Sequence, residues 1–217
     1  MLANANLPTG GGQATAKPRL TSAERRAAIV KAAVELFARK GFRGTTTREL
    51  ASAVGVTEPV LYQHFETKRD LYTAMIDTMV GDMSAKEQSR IELLLKCTDD
   101  RQFFREVGQI VLNWYVQETQ HIRLLLFSAL EGHELADLWQ SKVNKHFHEF
   151  VESYIARRAR EGGLRVPDPA VAARAFLCMV GHFCLHSVIF QQPLPELSQE
   201  QVLDQFVDIF MNGVRGV

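Results

Sequence analysis

The sequence predicts an all-α protein in two parts: an N-terminal three-helix unit holding a helix-turn-helix, and a larger helical body. Three observations carry that expectation. Apolar residues recur at helical spacing from Thr21 to the last twenty residues, and no period-two alternation competes with them. Helix starts are marked by reciprocal capping signals such as Thr46-x-x-Glu49 and Ser198-x-x-Gln201. The stretch TTRELASAVGVTEPVLYQHF, Thr46 to Phe65, reads as two short helices joined at Gly55-Val56, the pattern in which a second helix enters the major groove of DNA.

Composition bounds the rest. The 217 residues suit one or two domains, and 25 basic side chains balance 25 acidic ones. The balance is uneven along the chain. Residues 1–70 carry a net +5 and residues 71–217 a net −5, which places a nucleic-acid-facing end before an acidic body. Cys97, Cys178 and Cys184 lack metal-type spacing and cannot all pair, so a reducing cytoplasm is the expected location. The start has no basic stretch followed by a long apolar run, and the apolar run Ala175 to Phe190 contains His182 and His186. Neither a secretory signal nor a membrane span is expected.

Residues 1–20, rich in Gly, Pro, Ala, Asn and Thr, have no face to bury and are expected to form a disordered tail. The helix-turn-helix domain then occupies 21–67. Thr21 or Ser22 caps a first helix with Ile29, Ala33, Leu36 and Phe37 inward, and Gly41 ends it as a left-handed cap. Thr46 and Glu49 open the second helix, and Gly55 breaks it. Thr57 caps the third, with Pro59 tolerated in its first turn. There Leu61 and Phe65 face inward, which turns Glu58, Tyr62, Gln63 and His64 outward. Thr67 and Asp70 open a fourth helix carrying Leu71, Met75 and Met79.

The body, 68–217, continues in the same period. Phe103, Val107, Ile110, Val111 and Trp114 form one stripe, and Leu135 to Tyr154 form a longer one ended by Gly162-Gly163. Asp168 caps a helix with Pro169 at its first position, which runs to Gln191 or Gln192 and is apolar nearly all round. Such a helix must be covered on more than one side, which favours a partner subunit. The last helix starts at Ser198 and carries Val202, Phe206, Val207, Ile209 and Phe210.

Several elements occur together in one order: Phe37-x-x-x-Gly41-Phe42, the threonines before Arg48, Ala51-x-x-x-Gly55-Val56, Leu61-Tyr62-x-His64-Phe65 and Lys68-x-x-Leu71. On these the run from Thr21 to about Met75, roughly a quarter of the chain, resembles the DNA-binding domain of the TetR family of bacterial transcriptional regulators. Many members carry Gly near the Leu-Tyr pair where this chain has Pro59-Val60, a departure that bears on sequence preference. The resemblance implies a DNA-contacting set of Thr46, Thr47, Arg48, Thr57, Glu58, Pro59, Tyr62, Gln63, His64 and Lys68. Among them, Tyr62 and Lys68 meet phosphate, while Arg48, Gln63 and His64 are placed for base edges. It also implies a homodimer through the last two helices, a double-stranded operator with two-fold symmetry, and release by a small-molecule effector.

Within the body, Trp114, Phe127, Trp139, Met179 and Phe183 can line an apolar ligand pocket with His182 or His186 as its polar handle, although aromatics at this spacing also serve as ordinary core. The four-residue spacing of His182 and His186 suits a metal, but with no H-E-x-x-H arrangement the reading is core or pocket histidines, with no metal and no cofactor. No phosphate-binding glycine loop, nucleophile elbow or zinc motif stands in the chain, so an enzyme is not expected. The alternative to a regulator is a helical ligand-binding or adaptor protein that has lost operator recognition.

Overall fold

The computed structural model describes residues 20–81, 91, 93–192 and 196–214, and all structural statements concern these. The expected N-terminal tail lies outside them except for exposed Leu20. Among the described residues every extended element is helical.

α1 (Ser22–Lys40) starts at Thr21, whose hydroxyl accepts from the Glu24 amide while the Glu24 carboxylate accepts from the Thr21 amide. It ends at Gly41, with φ 71° and ψ 177°. This is a positive-φ turn but not the left-handed helical cap the sequence suggested, because ψ is extended and sends the chain away from the helix axis. α2 (Thr47–Ala53) and α3 (Glu58–His64) are joined through Gly55, at φ 69°. Thr57 occupies the cap position of α3 but its side chain makes no capping bond. The second helical position is Pro59, which has no N–H to offer. α4 (Lys68–Gly81) begins with the reciprocal Thr67–Asp70 bonds at 2.9 to 3.1 Å.

The body comprises α5 (Asp100–Gln117), α6 (Thr119–Glu131), α7 (Glu134–Trp139), α8 (Lys145–Arg160), α9 (Pro169–Cys184) and α10 (Gln199–Val214). Asp99 caps α5 and Asp168 caps α9 through side-chain bonds to helix amides. Ser198 and Gln201 bond reciprocally at the start of α10. The expected single stripe from Leu135 to Tyr154 is interrupted: a π-turn at Gln140–Asn144 joins α7 to α8. The extra residue shifts the stripe around the axis. Leu135, Leu138, Trp139 and Val143 therefore pack on one core, whereas Phe147, Phe150, Val151 and Tyr154 pack on another.

Those two cores organise the molecule. The first joins α1–α4 to the facing ends of α6 and α7 through Ile29, Phe37, Phe42, Leu61, Phe65, Tyr72, Met75 and Leu124. The second joins α5, α8, α9 and α10 around Phe103, Phe104, Tyr154, Phe176 and Phe210. In it Asp100 accepts from Tyr154 Oη (2.8 Å) and from Arg158 (2.6 Å), so its partly buried charge is paired. By length and composition, Pro169–Ile189 is apolar enough to cross a membrane, with 33% of its window buried. Here it packs into the second core through Phe176, Val180 and Cys184. A single chain leaves one side of it open: Val171 is 64% exposed, and Ala175, Cys178 and His182 follow on the same side.

Candidate nucleic-acid interface

The start of α2 is fixed before it can meet a ligand. Thr46 Oγ1 accepts from the Glu49 amide (3.1 Å) and the Glu49 carboxylate accepts from the Thr46 amide (3.1 Å). Lys40 holds the same carboxylate at 2.8 Å. The Lys40 bond first, then the Thr46 amide, keeps Glu49 ionised below the usual carboxylate range. Thr47 Oγ1 donates to Glu58 Oε2 at 3.2 Å, tying α2 to the first residue of α3 across the turn.

The third helix is seated by Leu61 and Phe65, 3% and 2% exposed, with the Arg26 guanidinium 4.7 Å above the Phe65 ring. That seating turns Tyr62, Gln63 and Pro59 to solvent and leaves His64 and Glu58 half-buried. Arg48, Thr57, Glu58 and Pro59 line one shallow cleft with Ser52 and Gly55. Because Thr57 makes no capping bond and is exposed, its hydroxyl is available to a ligand.

A second cleft opens between the starts of α2 and α4. Its rim carries Thr45, Thr46, Thr47, Tyr62, Thr67 and Lys68; Phe37, Leu50, Leu61, Phe65 and Tyr72 form its floor. Hydroxyls, an ammonium group and the positive ends of two helices converge there, the chemistry that holds a phosphate oxygen. The ten sequence-selected residues therefore lie along two adjoining clefts or, for Gln63 and His64, on the α3 surface beside them. Thr45 and Thr67 were missed as members of the rim. Thr67 stood out in the sequence only as a cap, and nothing in the local pattern distinguishes Thr45.

The reading head is clamped to the body at one corner. Glu131, the last residue of α6, accepts from the amides of Phe42 (3.2 Å) and Arg43 (3.1 Å) through one carboxylate oxygen. His133 stacks on Phe42 with ring centres 3.7 Å apart and meets Tyr72 edge-on at 4.5 Å. Burial lowers the pKa of His133 and, with Glu134 adding to it, pushes that of Tyr72 up to about 12. Arg69–Glu134 (3.0 Å) and Lys142–Asp77 (3.1 Å) close the seam. Residues so far apart in sequence gave no local signal of meeting.

The seven residues grouped by sequence as a pocket fall in three places. Trp114 and Trp139 stack at 5.0 Å with planes 5° apart. Phe127 lies beside Gly41 at the seam. Met179, His182, Phe183 and His186 are on α9 and its extension, where Phe183 packs against Phe206 of α10.

Comparison with known proteins follows this division. Residues 29–75 match the signature of the bacterial regulatory proteins of the tetR family, and residues 104–213 match that of the C-terminal domain of AefR-like transcriptional repressors. The HTH-type transcriptional activator FasR of Mycolicibacterium smegmatis is 32% identical over 54% of this chain, which spans about half (52%) of that relative. The nucleoid occlusion factor SlmA of Yersinia pseudotuberculosis is 30% identical over 72% of this chain and 79% of its own length. Among solved structures, AibR in complex with isovaleryl coenzyme A and operator DNA shares the fold at a TM-score of 0.65, with 24% identity over 86% of this chain and 97% of AibR. Matched in both halves and in order, the chain belongs to the TetR family of transcriptional regulators.

Proposed function

We propose that this regulator is a cytoplasmic homodimeric repressor that binds a two-fold-symmetric operator and is released by a small molecule held in its body. The observation that carries the reading is the convergence of Thr46, Thr47, Tyr62 and Lys68 on one cleft beside the exposed face of α3. Phosphate held there orients the helix, and Arg48, Thr57, Glu58, Pro59, Gln63 and His64 then face the groove. Dimerisation through α9 and α10 is supported by the open stripe of α9 and by Ile209, 63% exposed on α10. Two such copies would set their recognition helices about 34 Å apart, one turn of DNA.

Release follows if the effector favours a dimer geometry in which that spacing is lost; a coupling of ~1–3 kcal/mol changes affinity ~5–150-fold. AibR holds isovaleryl coenzyme A, which supports an acyl thioester as the chemical class of the ligand, so acyl thioesters are the first compounds to screen. The test is a gel shift on the gene's own upstream region at two salt concentrations. Lys68→Ala removes one phosphate contact per chain and should shallow the log–log salt slope of the dimer by about 1.8. An unshifted fragment, or a shift indifferent to salt, would return the protein to the adaptor class.

A further inference from the structure

The end of α9 holds a second site. We propose that His182 and His186 chelate a divalent transition-metal ion of the zinc, nickel or copper class.

His182 is exposed near the end of α9, and His186 is half-buried in the π-helical extension Leu185–Ile189 that follows it. Their ring centres are 4.5 Å apart with planes tilted at 55°, so the rings are close but not stacked. An imidazole nitrogen about 2.0–2.1 Å from an ion puts the ring centre about 3.2 Å away. Two imidazoles at right-angled to tetrahedral positions on one ion then have centres about 4.5–5.2 Å apart. The observed separation falls in that range without rebuilding the helix.

The second nitrogen of His186 is already committed. Its Nδ1 lies 3.1 Å from Gln192 Oε1. A carbonyl oxygen only accepts, so Nδ1 carries the proton and Nε2 keeps the lone pair a metal needs. This is the outer-shell bond that ligating histidines make. The local backbone supports it: the Gln192 amide donates to His186 O at 3.0 Å, and Gln191 takes φ 54° to turn the chain back. The edge of one ring meets the other where Phe190 packs on His186, with centres at 5.3 Å. A π-turn and a left-handed non-glycine residue both cost energy, and here both serve to bring Gln192 onto this one imidazole.

The donors choose the ion. Imidazoles suit zinc, nickel and copper, and the pair contains no carboxylate for magnesium or calcium. Among the described residues no group of three or more His, Cys, Asp and Glu side chains is placed to share an ion, so the site is an open two-imidazole chelate. Its remaining positions fall to water or to a second copy docked on the open stripe. Spacing alone favoured core or pocket histidines; the exposure of His182 and the Gln192 bond are what the structure adds. An ion there would fix the π-helical extension to the last turn of α9.

The full chain, stripped of metal and kept reduced, is titrated at neutral pH with NiCl2, ZnCl2 and MgCl2 against a chromophoric chelator. Saturable uptake of nickel and zinc is expected, at one ion per chain or one per two chains, with none of magnesium. His182→Gln and His186→Gln should each weaken it at least tenfold, and Gln192→Leu by roughly tenfold. Cys178→Ser should leave it unchanged, which separates this pair from a Cys178–His182 pair on the same stripe. Metal-free melting curves of the variants check that they fold. Uptake that survives both histidine variants, disappears in Cys178→Ser, or is absent up to about 100 μM ion overturns the site.

Discussion

Replacing Glu131 by alanine tests the corner through which the reading head is held. One carboxylate oxygen accepts from Phe42 and Arg43 at 3.2 and 3.1 Å, and no other side chain bonds those two amides among the described residues. Half-exposed hydrogen bonds to a charged acceptor contribute about 1–1.5 kcal/mol each, so losing both costs about 2–3 kcal/mol. For a chain of this length that lowers the melting midpoint by roughly 4–12 °C. Glu131→Gln keeps an accepting oxygen and loses only the charge, so it should cost about half as much. Melting by circular dichroism, at matched protein concentration because any self-association would shift the midpoint, reads the stability. Anisotropy with a labelled operator at 25 °C, where all variants are folded, reads the second consequence. A head whose entry loop is unclamped should bind about 5–10-fold more weakly. A midpoint for Glu131→Ala within about 1 °C of the parent would refute the clamp, as would equal losses for Gln and Ala.

The two positive-φ glycines of the DNA-binding unit should differ. Gly41→Ala puts a Cβ into the Glu131 carboxylate and 3.3 Å from Phe127 at φ 71°, whereas Gly55 has open space at φ 69°. About 2–4 kcal/mol against about 1 kcal/mol is expected in urea unfolding, and equal losses would remove the steric argument. His133 makes stability depend on pH, because burial holds its folded pKa below the ordinary value. The folded state then binds fewer protons, so this contribution is complete above about pH 6.5 and is lost as the pH falls through the lowered value. His133→Phe should flatten the decline between about pH 7 and 5, above the range of the shifted carboxylates; parallel declines would clear His133. Gln63→Ala or His64→Ala should change the sequence returned by binding-site selection, and an unchanged motif for both would take them out of base readout.

The sequence was most legible where a local rule has no competitor. Capping boxes at Thr46, Thr67 and Ser198 marked helix starts to the residue, since both members lie within one turn, while for α1 the sequence offered Thr21 or Ser22 and the structure takes Thr21. The inward pair Leu61 and Phe65 fixed which side of α3 faces out, and so the candidate interface. Thr57 holds the cap position of α3 but makes no side-chain capping bond, and Pro59 removes one of the two amides such a bond could use. The π-turns at Gln140–Asn144 and Leu185–Ile189 were invisible, because one inserted residue blurs a 3.6-residue period without abolishing it. The seam was invisible for a different reason. Phe42 and His133 stack across ninety residues of chain, and only the closed fold brings them together.

The seam also bears on how a signal in the body can reach DNA. α7, the π-turn and α8 form one continuous rod whose first part lies in the first core and whose second part lies in the other. Packed side chains yield in discrete steps, so a change in how α8 meets α9 is carried along such a rod more readily than it is absorbed within it. At its near end the rod holds the head at three points: His133 on Phe42 and Tyr72, Glu134 on Arg69, and Lys142 on Asp77. Tyr72 and Arg69 belong to α4, whose first residue, Lys68, stands on the rim of the cleft between α2 and α4. The two ion pairs are exposed and individually weak, which leaves the buried ring stack and the Glu131 clamp as the contacts stiff enough to transmit a displacement. Leu61 and Phe65 thus seat α3 within the head, and the corner at Glu131 and His133 sets how the head stands on the body.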